Sequence, residues 1–384
     1  MTAIPSSPAG QSRSIFGDGA KPSFLSGAVW AGLASLILLP SFFGDLQIQT
    51  ALPPVDLQVH ETLFGYLAAI VAGFVLTAIP GWTGRPPLAA RTLGLLVVVW
   101  LAGRVAMAAS GFIGPFAAGG VDSLFLLLAA AIALREAASG RAASALAPIG
   151  LLVAFYAGSV VFDLGAYHNG SSDAGKRIAI AAVVMLVTVV GGRVLPRPGT
   201  EDQPPAFGAL DIVTVAVSAV ALLVWIALPA FIVTGALLLI AGIVHAVRLF
   251  RWVSDRKGQN TLTLVQQIAY GFIPLGFLVL GLGDLSPHGT AAGVDIRSWL
   301  VSATAILTLG TVARISLDPA GSPAAARRFA WIIYSAIGLA AVGRLIGGLS
   351  WVLPAIGGAA LVVAFAVFSI GYLPLLARPA AAVR

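Results

Sequence analysis

An all-helical integral membrane protein of about twelve spans, with both ends in the cytoplasm, is the fold the sequence predicts. Three observations carry this. Of 384 residues, 59% are hydrophobic and 10% charged, where a soluble domain carries roughly 25% charged residues. The apolar residues fall in long runs that bring the mean hydropathy to +0.98, each run close to the ~20 residues needed to cross ~30 Å of hydrocarbon. The basic residues sit between the runs, on alternate sides.

In chain order, residues 1–21 form a flexible tail rich in Ser, Gly and Pro. No short apolar core with a small-residue cleavage site follows it, so no secretory signal is expected. A single transmembrane domain then occupies 22–377, with spans near Phe24–Phe43, His60–Ile79, Ala90–Ala109, Pro115–Leu134, Ser144–Gly165 and Ile178–Leu195. Further spans run near Phe207–Leu228, Ala230–Phe250, Thr261–Leu282, Gly293–Leu317, Ala326–Leu349 and Trp351–Leu376. Each is an apolar run of helical length broken at its ends by Pro or Gly. Residues 378–384 are a short cytoplasmic tail.

Giving alternate loops to the cytoplasm, starting with the N-terminus, collects most of the basic residues on one side, from Arg13 and Lys21 through Arg248, Arg251, Arg256 and Lys257 to Arg384. The other side receives Lys176, Arg177 and Arg297. Cytoplasmic loops carry the excess of Lys and Arg, so this bias orients the chain in a bacterial inner membrane. The net charge of +7 is thus a topology signal, and no basic patch points to nucleic acid. The absence of Cys excludes disulfides, thiol nucleophiles and thiolate ligation.

Small residues recur one turn apart at Gly65, Ala69 and Gly73, a pattern that lets a neighbouring helix approach closely. A repeat of six plus six spans, as in many transporters, has no internal sequence echo.

Ionisable groups at membrane depth cost roughly 2.5–3.5 kcal/mol each on insertion scales and face the protein interior. With this topology the outer half holds His60, Glu61, Arg104, Asp122, Asp163, Arg297 and Arg344, while the inner half holds chiefly Asp211 and His245. Taken singly, the arginines can snorkel to headgroups and the carboxylates can pair or cap helix ends. Taken as a set, they indicate a polar site opening outward, able to bind an anion, relay protons or hold cofactor carboxylates. His60, beside Glu61 at a helix start, is either an interfacial cap or an imidazole ligand to haem or copper. Met107 and Met185 are the available thioethers and are more often packing residues. Hydrolase triads and phosphate loops are not indicated, and no catalytic residue can be assigned.

The second span and its exit, His60-Glu61-Thr62-Leu63-Phe64-Gly65-Tyr66, then Ala72 to Pro80 and Gly81-Trp82-Thr83-Gly84-Arg85-Pro86-Pro87-Leu88, closely resemble the NnrS family. Further echoes are Val190 to Pro196, His245-Ala246-Val247-Arg248-Leu249-Phe250-Arg251-Trp252, Tyr270 to Gly276, Ala313 to Leu317 and Tyr372-Leu373-Pro374, so the resemblance spans nearly the whole chain. It implies a bacterial protein of about twelve spans that contains haem and copper and serves denitrification or nitric oxide tolerance, with nitric oxide or iron-nitrosyl species as ligand.

The chain departs from the family pattern at particular places. Trp-His-x-His-Glu is replaced by Leu57 and Gln58 at its first two positions, a His before Gly-Tyr by Gln267, the start of His-Ala-Leu-Thr by Arg297, and, by looser alignment, a late His of the fifth span by Asp163. Two readings follow. Either His60 anchors a haem whose propionates pair with Arg104, Arg297 or Arg344, or the replaced positions form a salt-bridged or anion-binding network without metal. The first serves nitric oxide tolerance through haem; the second also suits a transporter of a small polar solute, or a sensor subunit.

Overall fold

The computed structural model describes residues 21–43, 48–140, 143–194, 208–254, 261–285, 324–345 and 352–376, and every regular element among them is helical. In order these are α1 (Lys21–Phe43), α2 (Pro54–His60) leading through a π-helical segment (Glu61–Leu67) into α3 (Ala68–Thr83), α4 (Ala90–Ala108), the single turn α5 (Ser110–Ile113) and α6 (Pro115–Gly140). There follow α7 (Ala143–Leu164) with a second π-helical segment (Gly165–Asn169), α8 (Asp173–Val194), α9 (Ala209–Ala227), α10 (Ile232–Ser254), α11 (Thr261–Leu285), α12 (Ala324–Leu345) and α13 (Val352–Leu376).

Helices occupy the expected spans, except that the one near Gly293–Leu317 lies outside the described residues, as do both expected tails apart from Lys21. Six helical stretches, Pro54–Pro80, Ala90–Ala108, Pro115–Gly140, Ser144–Asn169, Ala209–Ala227 and Ile232–Ser254, are long and apolar enough to cross a membrane. Shorter apolar helices lie at Ser23–Leu38, Tyr270–Leu285, Trp331–Ala340 and Ala355–Ile370. The chain is therefore a multi-pass helical membrane protein.

The stretch Pro54–Pro80 is 83% buried, whereas the other five long stretches are between 33% and 44% buried. It is the central post of the N-terminal half, and its neighbours turn one face to it and another outward. Thus on α4 Trp100, Arg104 and Met107 are buried while Leu95, Val98 and Val105 are exposed, the arrangement expected of a lipid-facing stripe. From α6 to α11 each helix packs on the next, α4 packs on α6, α12 on α13, and α1 packs against both α3 and α13.

Local chemistry sets the ends. Pro53 and Pro54 open α2, where a missing N–H costs nothing. Gly84, at φ 70°, ends α3 with its N–H on the Pro80 carbonyl at 2.9 Å, a left-handed position that glycine adopts without strain. At the start of α9 the Asp211 carboxylate accepts from the Gly208 N–H at 3.0 Å. The helix that carries His60 begins at Pro54, more than a turn before the expected start, so His60 lies inside a continuous helical rod and does not cap an interface.

Candidate functional site

Five of the seven expected outer-half residues, His60, Glu61, Arg104, Asp122 and Asp163, converge on one buried point, each 7% exposed or less. They come from the π-helical junction, α4, α6 and α7. Arg104 is the hinge of the group. Its guanidinium donates to Glu61 Oε2 at 2.7 Å and forms a very close ion pair with Asp122. Glu61 Oε2 also accepts from the Trp30 indole at 2.6 Å, so α1 joins the same centre. Buried charges are tolerated only when paired and hydrogen-bonded, and Glu61 and Arg104 meet that condition.

His60 does not. Its Nδ1 lies 3.5 Å from Glu61 Oε1, and its Nε2 lies 3.4 Å from Asp122 Oδ2 and 3.7 Å from Asp163 Oδ1. Neither nitrogen has a hydrogen-bond partner by geometry, and neither does Asp163 Oδ1. The ring is fully buried and makes tilted or edge contacts with Phe64 and Phe162, with ring centroids at 5.3 and 5.5 Å.

The π-helical junction helps to build the site. A π segment shifts the hydrogen-bond register and frees a main-chain carbonyl. Here the Gly65 carbonyl accepts from Trp100 Nε1 at 2.8 Å. Glycines also make room for the charges: a Cβ at Gly65 would lie 2.7 Å from both Arg104 Nη1 and Glu61 Oε2, at Gly103 2.7 Å from Asp122 Oδ1, and at Gly119 2.7 Å from Asp163 Oδ2. Of the small-residue stripe, Gly65 thus serves the cluster, while Ala69 provides the close helix approach, 3.1 Å from where a Gly27 Cβ would stand.

The remaining candidates lie apart. Arg297 is outside the described residues, and Arg344 falls on α12 with its side chain outside them. Gln58 lines a small cavity of about 20 Å³ beside Glu61, together with Ser35, Thr62, Tyr66, Leu361 and Phe365. Gln267 is on α11, buried, donating to the Trp252 carbonyl at 3.2 Å.

A second polar network joins α8, α9, α10 and α11. Arg248 Nε donates to Asp211 Oδ1 at 2.8 Å, and its Nη1 donates to the Thr188 carbonyl and the Tyr270 hydroxyl, both at 3.0 Å. The guanidinium also stacks 4.7 Å over Trp252. His245 bridges Tyr270 OH at 2.6 Å and Ser218 Oγ at 2.8 Å. Since Tyr270 accepts from Arg248, its single proton goes to His245 Nδ1, and His245 donates through Nε2 to Ser218. Arg248, counted from sequence among the cytoplasmic loop charges, is 1% exposed inside α10. Its pairing with Asp211, 37 residues away in sequence, left no signal in the linear spacing.

The two networks are well separated. Near one end of α8, Lys176 pairs at 2.7 Å with Asp56, one turn before His60. Near the other end Thr188 meets Arg248, twelve residues on, or roughly 18 Å along the helix.

The His60 environment does not fit an iron or copper centre. An axial ligand needs a ring nitrogen facing free space for the metal and a flat macrocycle beside it, whereas both nitrogens of His60 lie within 3.4–3.7 Å of carboxylate oxygens and the ring is fully buried against Phe64 and Phe162. Among the described residues no group of three or more His, Asp or Glu side chains could hold a metal ion. Met107, the nearer thioether by sequence, is a fully buried core residue.

In comparison with known proteins, the family model described as "NnrS protein" matches residues 14–380. No curated protein matches.

Proposed function

The chain belongs to the NnrS family, whose members are linked to the nitric oxide response, and on that premise we propose that it acts in tolerance of nitric oxide or nitrosative stress. It does so as an inner-membrane protein of about twelve spans with both ends in the cytoplasm, and the His60 cluster in the outer half is its working site. The observation that carries this reading is the convergence of five ionisable side chains from four helical elements on one buried point. Such groups are costly at membrane depth, and function is the usual reason for them.

The donor set indicates what the site can do. Among the described residues, three carboxylates against one guanidinium make it electronegative, so it repels nitrite-like anions and attracts protons or cations. Haem and copper, which the family resemblance implies, find no place on His60 in this arrangement, and the site works through its own side chains. A second reading, binding of a small polar solute, is favoured by an open cavity of about 680 Å³ lined by His168, Asn169, Ser171, Asp173 and Arg177.

The test is growth under a nitric oxide donor. A strain lacking the protein is expected to grow poorly, recovering with the wild type and not with Arg104→Ala present at equal membrane abundance. Equal growth with and without the protein would refute the functional reading. A stoichiometric Soret band in the purified protein, abolished by His60→Ala, would overturn the metal-free site.

A further inference from the structure

We propose that the His60 cluster is a proton-binding centre, holding an excess proton between His60 and the Asp122 and Asp163 carboxylates and exchanging it with water beside Glu61. The proposal rests on the His60 cluster being the working site. Its first support is charge. Among the described residues, Arg104 is the one permanent cation paired with Glu61 or Asp122, and with Asp163 this set carries an excess of two negative charges with His60 neutral and one with His60 protonated. Uncompensated ions cost several kcal/mol each in a protein interior, and an added proton removes that cost without needing space.

The second support is the aim of the imidazole. His60 is completely buried, and its Nε2 points between two carboxylate oxygens at 3.4 and 3.7 Å, close enough for small side-chain adjustments to make either a hydrogen bond. Both of its nitrogens stand unpartnered at these distances. Proton transfer here breaks the His60 Nε2–H bond and forms an Asp O–H bond, neutralising imidazolium and carboxylate together.

Among the described residues, other charged or titratable groups near the site are engaged elsewhere or neutral. Trp30 on α1 and Arg104 on α4 already donate to Glu61. Lys176 on α8, 5.7 Å over the Phe162 ring, is committed to Asp56 at 2.7 Å. Tyr167, one turn beyond Asp163, has a buried hydroxyl without a hydrogen-bond partner. The route to water is the cavity of about 20 Å³ beside Glu61, lined by Ser35, Gln58 and Thr62. Its size suits one water molecule, for which Ser35, Gln58, Glu61 and Thr62 offer polar partners beside the apolar lining, and Glu61 Oε1 then leads to His60 Nδ1 at 3.5 Å.

Infrared spectroscopy of the purified protein in lipid nanodiscs tests this. At neutral pH the expected result is a protonated-carboxyl stretch that shifts in heavy water, is lost in Asp163→Asn or Asp122→Asn, and persists in Asp56→Asn. Nitrogen NMR of labelled histidine offers a second readout, with an imidazolium signal absent from His60→Gln. Absence of both signals would overturn the proposal. So would a thermal stability that rises saturably with sodium or potassium while the carboxyl band is missing, since a metal cation would then balance the charge. Nitric oxide protection measured on the same variants separates the two readings: the band with unaffected protection supports the proton site and removes its functional role, whereas lost protection without the band overturns the proton site alone.

Discussion

At the scale of single residues, Arg104 is the side chain on which the His60 cluster depends. Removing it strands Glu61 and Asp122 in the interior, and breaking a buried pair by deleting one partner costs about 3–5 kcal/mol. Arg104→Ala is therefore expected to lower the melting temperature in detergent markedly, with Arg104→Lys recovering part of the loss. The glycines provide a contrast on one helix. At Gly103 a Cβ would stand 3.0 Å from the Asp122 main chain as well as against its carboxylate, whereas at Gly94 it would meet nothing within 4 Å. Gly103→Ala should cost about 1–3 kcal/mol by overpacking, and Gly94→Ala should be neutral or stabilising by up to about 1 kcal/mol. Paired thermal melts would decide this, and equal shifts would contradict the close approach of α4 and α6.

At the scale of elements, the network around Arg248 ties four helices, and Tyr270 is its junction. Tyr270→Phe leaves His245 Nδ1 and Arg248 Nη1 each short of a partner, an expected loss of about 1–3 kcal/mol per stranded group, read as a lowered unfolding midpoint. The sequence announced most of the helices, because apolar runs of spanning length leave little else to form. It also announced His60, Glu61, Arg104, Asp122 and Asp163, because an ionisable residue inside such a run stands out. It pointed to a shared polar site but not to which of the seven meet or which atoms pair, since contacts between helices depend on rotation and tilt. Trp30 and Trp100 were hidden for a related reason: an indole reads as an apolar residue until its N–H is seen to donate. The π-helical junction was invisible because a shift in hydrogen-bond register leaves no compositional mark, and Arg248, near the end of its expected span, was counted with the loop charges because nothing in the sequence shows that it turns inward onto Asp211.

At the scale of the whole molecule, orientation is the property that all outer-half arguments share. The chain has no Cys, so a single introduced thiol reports its side of the membrane without background. An impermeant maleimide added to spheroplasts is expected to label Asn169→Cys, and to label Lys257→Cys only after permeabilisation. The opposite pattern would invert the topology and place the His60 cluster in the inner half.

The distribution of the His60 cluster along the chain also constrains how the protein is made. His60 and Glu61 leave the ribosome first, Arg104 a helix later, Asp122 after it and Asp163 last. Glu61 therefore enters the bilayer without its cation, Arg104 restores balance when α4 arrives, and the aspartates of α6 and α7 upset it again. The insertion machinery must hold these helices together until the fourth contributor is released, because no earlier nascent chain contains the finished site.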